Sequence, residues 1–258
     1  MNRIHTAFET GKAFIGFVTG GDPSIEKSEE FILKMVEAGA DLIEIGIPFS
    51  DPIAEGPVIQ EANLRALAAG TTTDRLFELV SSLRQKTQVP IVFLTYLNPV
   101  FKYGYERFFG RCRDCGVDGI IIPDLPYEEK SDVAEHAGAC GVDIISLIAP
   151  TSEERIRRIA ENATGFLYVV SSLGVTGIRS EIKTDLDSIM KTVRQYSQVP
   201  AAVGFGINTP KQAKTISRIA DGVIVGSAIV KLCQQYGDDA GGPIYDYVKS
   251  MKEAILEK

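Results

Sequence analysis

Eight short, β-branched runs recur along the chain, separated by longer amphipathic stretches, and this alternation restricts the possible folds most. The runs are Ala13–Thr19, Asp41–Pro48, Ile91–Leu97, Gly119–Asp124, Asp143–Ala149, Gly165–Ser171, Ala201–Gly206 and Gly222–Gly226. Their starts lie 28, 50, 28, 24, 22, 36 and 21 residues apart. A spacing in the twenties fits one strand, one loop and one crossover helix. Strands that are apolar on both faces and alternate with helices predict a parallel sheet covered by helices. Eight such units in 258 residues predict an α/β fold, a single (β/α)8 TIM barrel spanning 1–258 with no linker or second domain.

The intervening stretches predict helices over Glu29–Ala38, Arg75–Lys86, Glu128–Ala139, Ser152–Ala160 and Leu186–Tyr196. Gly39, Gly116 and Gly141 stand where a helix should stop, each opening a Gly-Ala-Asp or Gly-Val-Asp step into the next strand. Met1–Thr10 reads as an extra N-terminal helix capping the bottom of the barrel. The two long spacings, after the second and sixth runs, hold Phe49–Gln60 and Ser172–Thr184. Both follow strand C-termini, the face on which barrel active sites are built, so both read as lid or partner-contact loops.

Composition narrows the partners. Acidic residues number 34 and basic residues 27, a net charge of −7, with no basic block; nucleic acid is therefore not expected. No apolar run approaches the roughly 20 residues of a membrane span, and the N-terminus lacks a signal-peptide core. The chain reads as cytoplasmic. Cys112 and Cys115 form a C-x-x-C, but inside a helical pattern and with only two histidines in the chain, so they read as reduced thiols.

None of the eight runs contains Lys, Arg, His or Cys. A Schiff-base lysine and a histidine metal cluster on the strands are thereby excluded, and the acids carry the chemistry. Asp41 and Asp143 open their runs at the barrel bottom; Glu44 and Asp124 lie toward the functional face. Alternation along Asp41–Pro48 sends Ile43, Ile45 and Ile47 outward and Leu42, Glu44 and Gly46 inward. A carboxylate inside the barrel is desolvated, which raises its pKa into the range of a general acid/base, and Gly46 is expected to leave room for a ligand. Asp51 and Glu55 in the following loop are candidates for a second charge. Tyr168, between Leu167 and Val169, points inward near Glu44. Gly204-Phe205-Gly206 and Gly226-Ser227, ending the last two runs, suit a phosphate held by backbone N–H groups, with Ser227 as a helix cap. Gly174–Gly177 can add donors.

The segment Ile43-Glu-Ile-Gly-Ile-Pro-Phe-Ser-Asp-Pro-Ile-Ala-Glu-Gly56 resembles the signature of the tryptophan synthase alpha chain family, and supporting matches run nearly end to end: Phe17–Pro23, Pro57–Gln60, Leu64-Arg65, Thr95-Tyr96, Gly174–Gly177, Gly204–Gly206 and Gly226–Val230. The resemblance implies cleavage of 1-(indol-3-yl)glycerol 3-phosphate to indole and glyceraldehyde 3-phosphate. It implies Glu44 as the acid/base, Glu55 as the carboxylate that meets indole N1–H, and Tyr168 in support. Phe17, Leu94 and Tyr96 would line the indole pocket; Thr176, Gly177, Gly204, Phe205, Gly206, Gly226 and Ser227 would surround the phosphate. It further implies no cofactor on this chain and a pyridoxal-phosphate β chain as partner in an α2β2 complex. The family usually carries Asp at position 55. The longer Glu must either set its loop back or fold its carboxylate. Two other readings share parts of this pattern: a phosphate-binding barrel isomerase, and an activating subunit that binds a β chain without catalysis.

Overall fold

The computed structural model describes residues 3–171, 186–204 and 206–257. Its sheet has nine strands: β1 Ala13–Thr19, β2 Leu42–Gly46, β3 Ile91–Leu94, β4 Gly119–Ile121, β5 Asp143–Ile144, β6 Ser146–Ile148, β7 Leu167–Val170, β8 Ala201–Gly204 and β9 Gly222–Val225. All pairings are parallel, in the order β5-β4-β3-β2-β1-β9-β8-β7-β6. The two ends of that order are consecutive in the chain. The single run at 143–149 is divided at Ile145, its first half pairing with β4 and its second with β7. Ile145 still donates its N–H to Ile120 O at 2.8 Å, so one continuous segment closes the barrel.

Alternation sorts the strand residues into two cores. Phe14, Val18, Ile43, Ile45, Phe93, Ile120, Val169 and Val203 face outward and pack beneath the helices. Ile15, Leu42, Val92, Ile121, Ile145, Tyr168, Ala202 and Ile224 fill the interior. A 3-10 turn at Arg3–His5 and a short helix at Thr6–Glu9 close the bottom, where Ile4 and Ala7 join the inner cluster.

The Gly-x-Asp steps have a physical purpose. Gly39, Gly116 and Gly141 adopt φ of +101°, +89° and +69°, which ends each helix at low steric cost. The aspartate then grips a neighbouring strand: Asp41 accepts from Phe14 N at 2.6 Å and Asp118 from Ile91 N at 2.9 Å. Asp221 does the same for Ala201 N at 3.0 Å. Asp118 also binds Arg84 at 2.7 Å and Arg3 at 2.8 Å, tying the N-terminal cap to the barrel.

Helix limits depart modestly from the sequence reading. Ser24 and Thr72 cap helices at Ile25–Glu37 and Thr73–Arg84, each starting before the first residue of the predicted helix. The expected loop Phe49–Gln60 is shorter, because a helix begins at Pro57 and runs to Ala68. Proline at the first helical position loses no intrahelical bond there. Cys112 and Cys115 are buried free thiols on the helix Tyr105–Cys115, and burial pushes Cys115 up to about 11.

Candidate active site at the C-terminal mouth of the barrel

Glu44 sits on β2 between Phe17 of β1 and Val92 of β3. Leu42, two residues before it, lies in the inner cluster and Ile43 and Ile45 in the outer one, so the carboxyl group points inward. It is 2% exposed, and its Oε2 has no hydrogen-bond partner among the described residues. Desolvation alone pushes its pKa from 4.5 to about 8. A buried, unpaired carboxyl oxygen is costly in a resting fold, and a carboxyl perturbed in this way suits acid/base chemistry.

Aromatic neighbours take the space where two glycines lack a side chain. Alternation and the small residue at Gly46 predict room for a ligand there. A Cβ there would lie 2.8 Å from Phe17 Cζ, so the space belongs to the Phe17 ring. Similarly, a Cβ at Gly204 would lie 2.6 Å from the Tyr168 hydroxyl. Tyr168 is buried on the inner face of β7; burial first, then the charge of Glu44, pushes its phenol well above the usual range.

Glu55 is only 7% exposed although it comes from a loop. Its longer side chain reaches two partners: Oε2 accepts from Asn63 Nδ2 at 2.6 Å, and the Tyr96 hydroxyl bonds the same carboxylate. Burial raises the Glu55 pKa, and those two hydrogen bonds pull it back. Ala54 N donates to Tyr96 Oη at 3.1 Å and Gln60 Nε2 to Glu55 O at 2.8 Å, which pins the loop on both sides. Sequence reasoning missed Asn63. Its signal was a polar residue on the otherwise apolar buried face Ile59, Ala62, Ala66. Asp51 is exposed. Asp124 lies beyond β4 and accepts from Leu97 N at 2.9 Å, holding the start of the helix Leu97–Tyr103.

Phe17 packs with Ile59, Ala62 and Val230, and the half-buried Leu94 lies against them. Tyr96 is buried and its ring lies 5.5 Å from that of Phe49. An apolar cluster therefore adjoins the polar groups at Glu55.

On the opposite side, Gly206 has φ +84° and Gly226 precedes the helix Ser227–Tyr236. Gly226, rather than Ser227, is the N-cap, and no side chain caps the helix. Gly226 O accepts from Ile229 N at 2.9 Å. The first-turn amides before Ile229 point out of the helix end, where an anion would meet them and the positive end of the helix dipole. Thr176, Gly177, Phe205 and the loop Ser172–Thr184 lie outside the described residues. Among the described residues, no three His, Cys, Asp or Glu side chains converge as a metal site.

A family model described as tryptophan synthase alpha chain matches residues 5–254. The tryptophan synthase alpha chain of Lacticaseibacillus casei is 49% identical over 258 residues, covering 100% of this chain and 97% of that one. The crystal structure of tryptophan synthase subunit alpha from Legionella pneumophila matches with a TM-score of 0.90 and 37% identity, over 99% of this chain and 98% of that one. A chain of the tryptophan synthase α2β2 complex from the hyperthermophile Pyrococcus furiosus matches with a TM-score of 0.88 and 35% identity, over 94% and 98%.

Proposed function

The chain belongs to the tryptophan synthase alpha chain family, and from that membership we infer that it is the carbon–carbon lyase which cleaves indole-3-glycerol phosphate to indole and glyceraldehyde 3-phosphate in tryptophan biosynthesis. One observation carries the assignment of the site: the inward carboxyl of Glu44, with a pKa raised to about 8 and an oxygen free of partners among the described residues.

With that pKa, Glu44 holds its proton at neutral pH and delivers it to indole C3. Protonation turns the ring into an iminium, whose charge Glu55 stabilises through N1–H. The Glu44 carboxylate then takes the proton from the hydroxyl on the carbon attached to the ring. That O–H pair becomes the carbonyl, the C–C bond breaks, and its electrons return to the indole. Glu44 ends protonated, as it began. Tyr168, close enough to feel the Glu44 charge, supports it. Phe17, Leu94 and Tyr96 hold the indole, and Gly204, Gly206, Gly226 and Ser227, with Thr176, Gly177 and Phe205, hold the phosphate. The ring is its own electron sink, so this chain needs no cofactor of its own; pyridoxal phosphate belongs to the β chain.

The β chain is its partner in an α2β2 complex, as in the Pyrococcus furiosus relative. Ile53, Leu64 and Phe101, 73%, 61% and 68% exposed, follow β2 and β3 on the functional face and supply an apolar contact surface. Residues 1–258 act as one barrel domain. None of the described helices is long and apolar enough to cross a membrane, and the cytoplasm is the proposed location. Indole release from indole-3-glycerol phosphate, measured with and without a β chain, tests the activity. No release in either condition would leave only the activating-subunit reading.

A further inference from the structure

Glu55 is held by side chains from two separate elements. Asn63, 3% exposed, reaches it from the helix Pro57–Ala68 at 2.6 Å, and Tyr96 reaches it from just beyond β3. The carboxylate of an aspartate at this position would fall about one methylene short of Asn63 on the same backbone, since each C–C step spans roughly 1.5 Å. The Asn63 amide is thus matched in reach to a glutamate. The helix carrying it is in turn fixed by Arg65, whose Nε and Nη2 grip both oxygens of buried Asp22 at 2.8 Å.

We propose that Asn63 is a positioning residue for the lyase reaction, clamping the long carboxylate of Glu55 against Tyr96 beside that apolar cluster. The proposal rests on the role given to Glu55 above. An amide N–H donates to the charged carboxylate and favours it over the acid form. Tyr96 is a titratable group in contact with Glu55, and burial first, then the neighbouring carboxylates Glu55 and Asp124, holds its phenol protonated. Asn63 and Tyr96 are therefore the neutral donors that offset the burial of Glu55.

Two measurements test this in the α2β2 complex. Asn63→Asp keeps the size but sets two carboxyl groups at hydrogen-bond distance, where they share a proton. The acidic limb of kcat should move up by about one pH unit or more, with KM for indole-3-glycerol phosphate changed less than threefold. The second is a cycle in reach. Glu55→Asp alone and Asn63→Gln alone should each lower kcat roughly tenfold, while E55D/N63Q, which restores the contact between the two side chains, should lose about tenfold in all rather than the roughly hundredfold product of the single losses. An unmoved acidic limb in folded Asn63→Asp, or losses that simply add in the double variant, overturns the proposal. If Asn63→Asp does not fold, the cycle decides alone. Failure of the wild-type complex to release indole would strike the activity itself, a different result.

Discussion

The Tyr168 hydroxyl rests against the α-carbon of Gly204, so close that a Cβ at that position would stand 2.6 Å from the oxygen. Two strands thus share one space, β8 contributing the absence of a side chain and β7 the phenol. Gly204→Ala must displace the ring or strain β8. The expected result is a loss of stability of about 1–3 kcal/mol and a fall in kcat of at least about tenfold. Urea unfolding and steady-state indole release check it. Wild-type kcat in folded Gly204→Ala would show that the Tyr168 position is unimportant.

Glu44→Gln keeps the shape of the side chain and removes its proton. kcat should drop by at least about a hundredfold with the fold intact. Near wild-type turnover by the folded variant would end the assignment.

The same variant makes a stability prediction. In the unfolded chain Glu44 loses its proton near 4.5, and in the folded chain only near 8. Between those values the folded state binds more protons, so the group's contribution falls as pH rises from 4.5 to 8 and is constant above that. Wild type should therefore lose stability relative to Glu44→Gln across this window, by several kcal/mol. Parallel curves for the two proteins between pH 5 and 8 would contradict a buried neutral acid.

The phosphate assignment depends on backbone N–H groups at Gly206 and at the start of the helix Ser227–Tyr236. Glycerol 3-phosphate should compete with substrate while glycerol does not. Gly226→Ala should weaken that competition, since its Cβ would crowd Phe17 Cδ1 at 3.3 Å. Equal inhibition by the two compounds would rule out a phosphate subsite there.

At the barrel bottom, Asp118 and Arg84 are 3% and 8% exposed and 2.7 Å apart. Asp118→Ala leaves that guanidinium buried without its carboxylate and should cost about 3–5 kcal/mol. Activity per folded molecule should persist, because this pair lies at the end opposite the site. A selective loss of kcat at unchanged stability would refute a purely structural role.

Much of this molecule follows from local rules. Period-2 alternation is a property of the extended backbone, so the inward aim of Glu44 and Tyr168 and the outward aim of Ile43, Ile45 and Val169 were legible before any contact was known. Helix stops at Gly39, Gly116 and Gly141 were equally legible, because a positive φ favours glycine wherever it occurs. What alternation cannot supply is the identity of a neighbour across the barrel. Gly46 reads as space for a ligand, yet the Phe17 ring occupies it. Asn63 looked like one polar residue on a helix, and only the docking of that helix over the mouth brings it to 2.6 Å from Glu55. The amino-acid sequence by itself determined the strands, their faces and the buried acid. The tertiary structure decided which side chains meet, because distance across a closed barrel depends on the packing of all its strands and helices together.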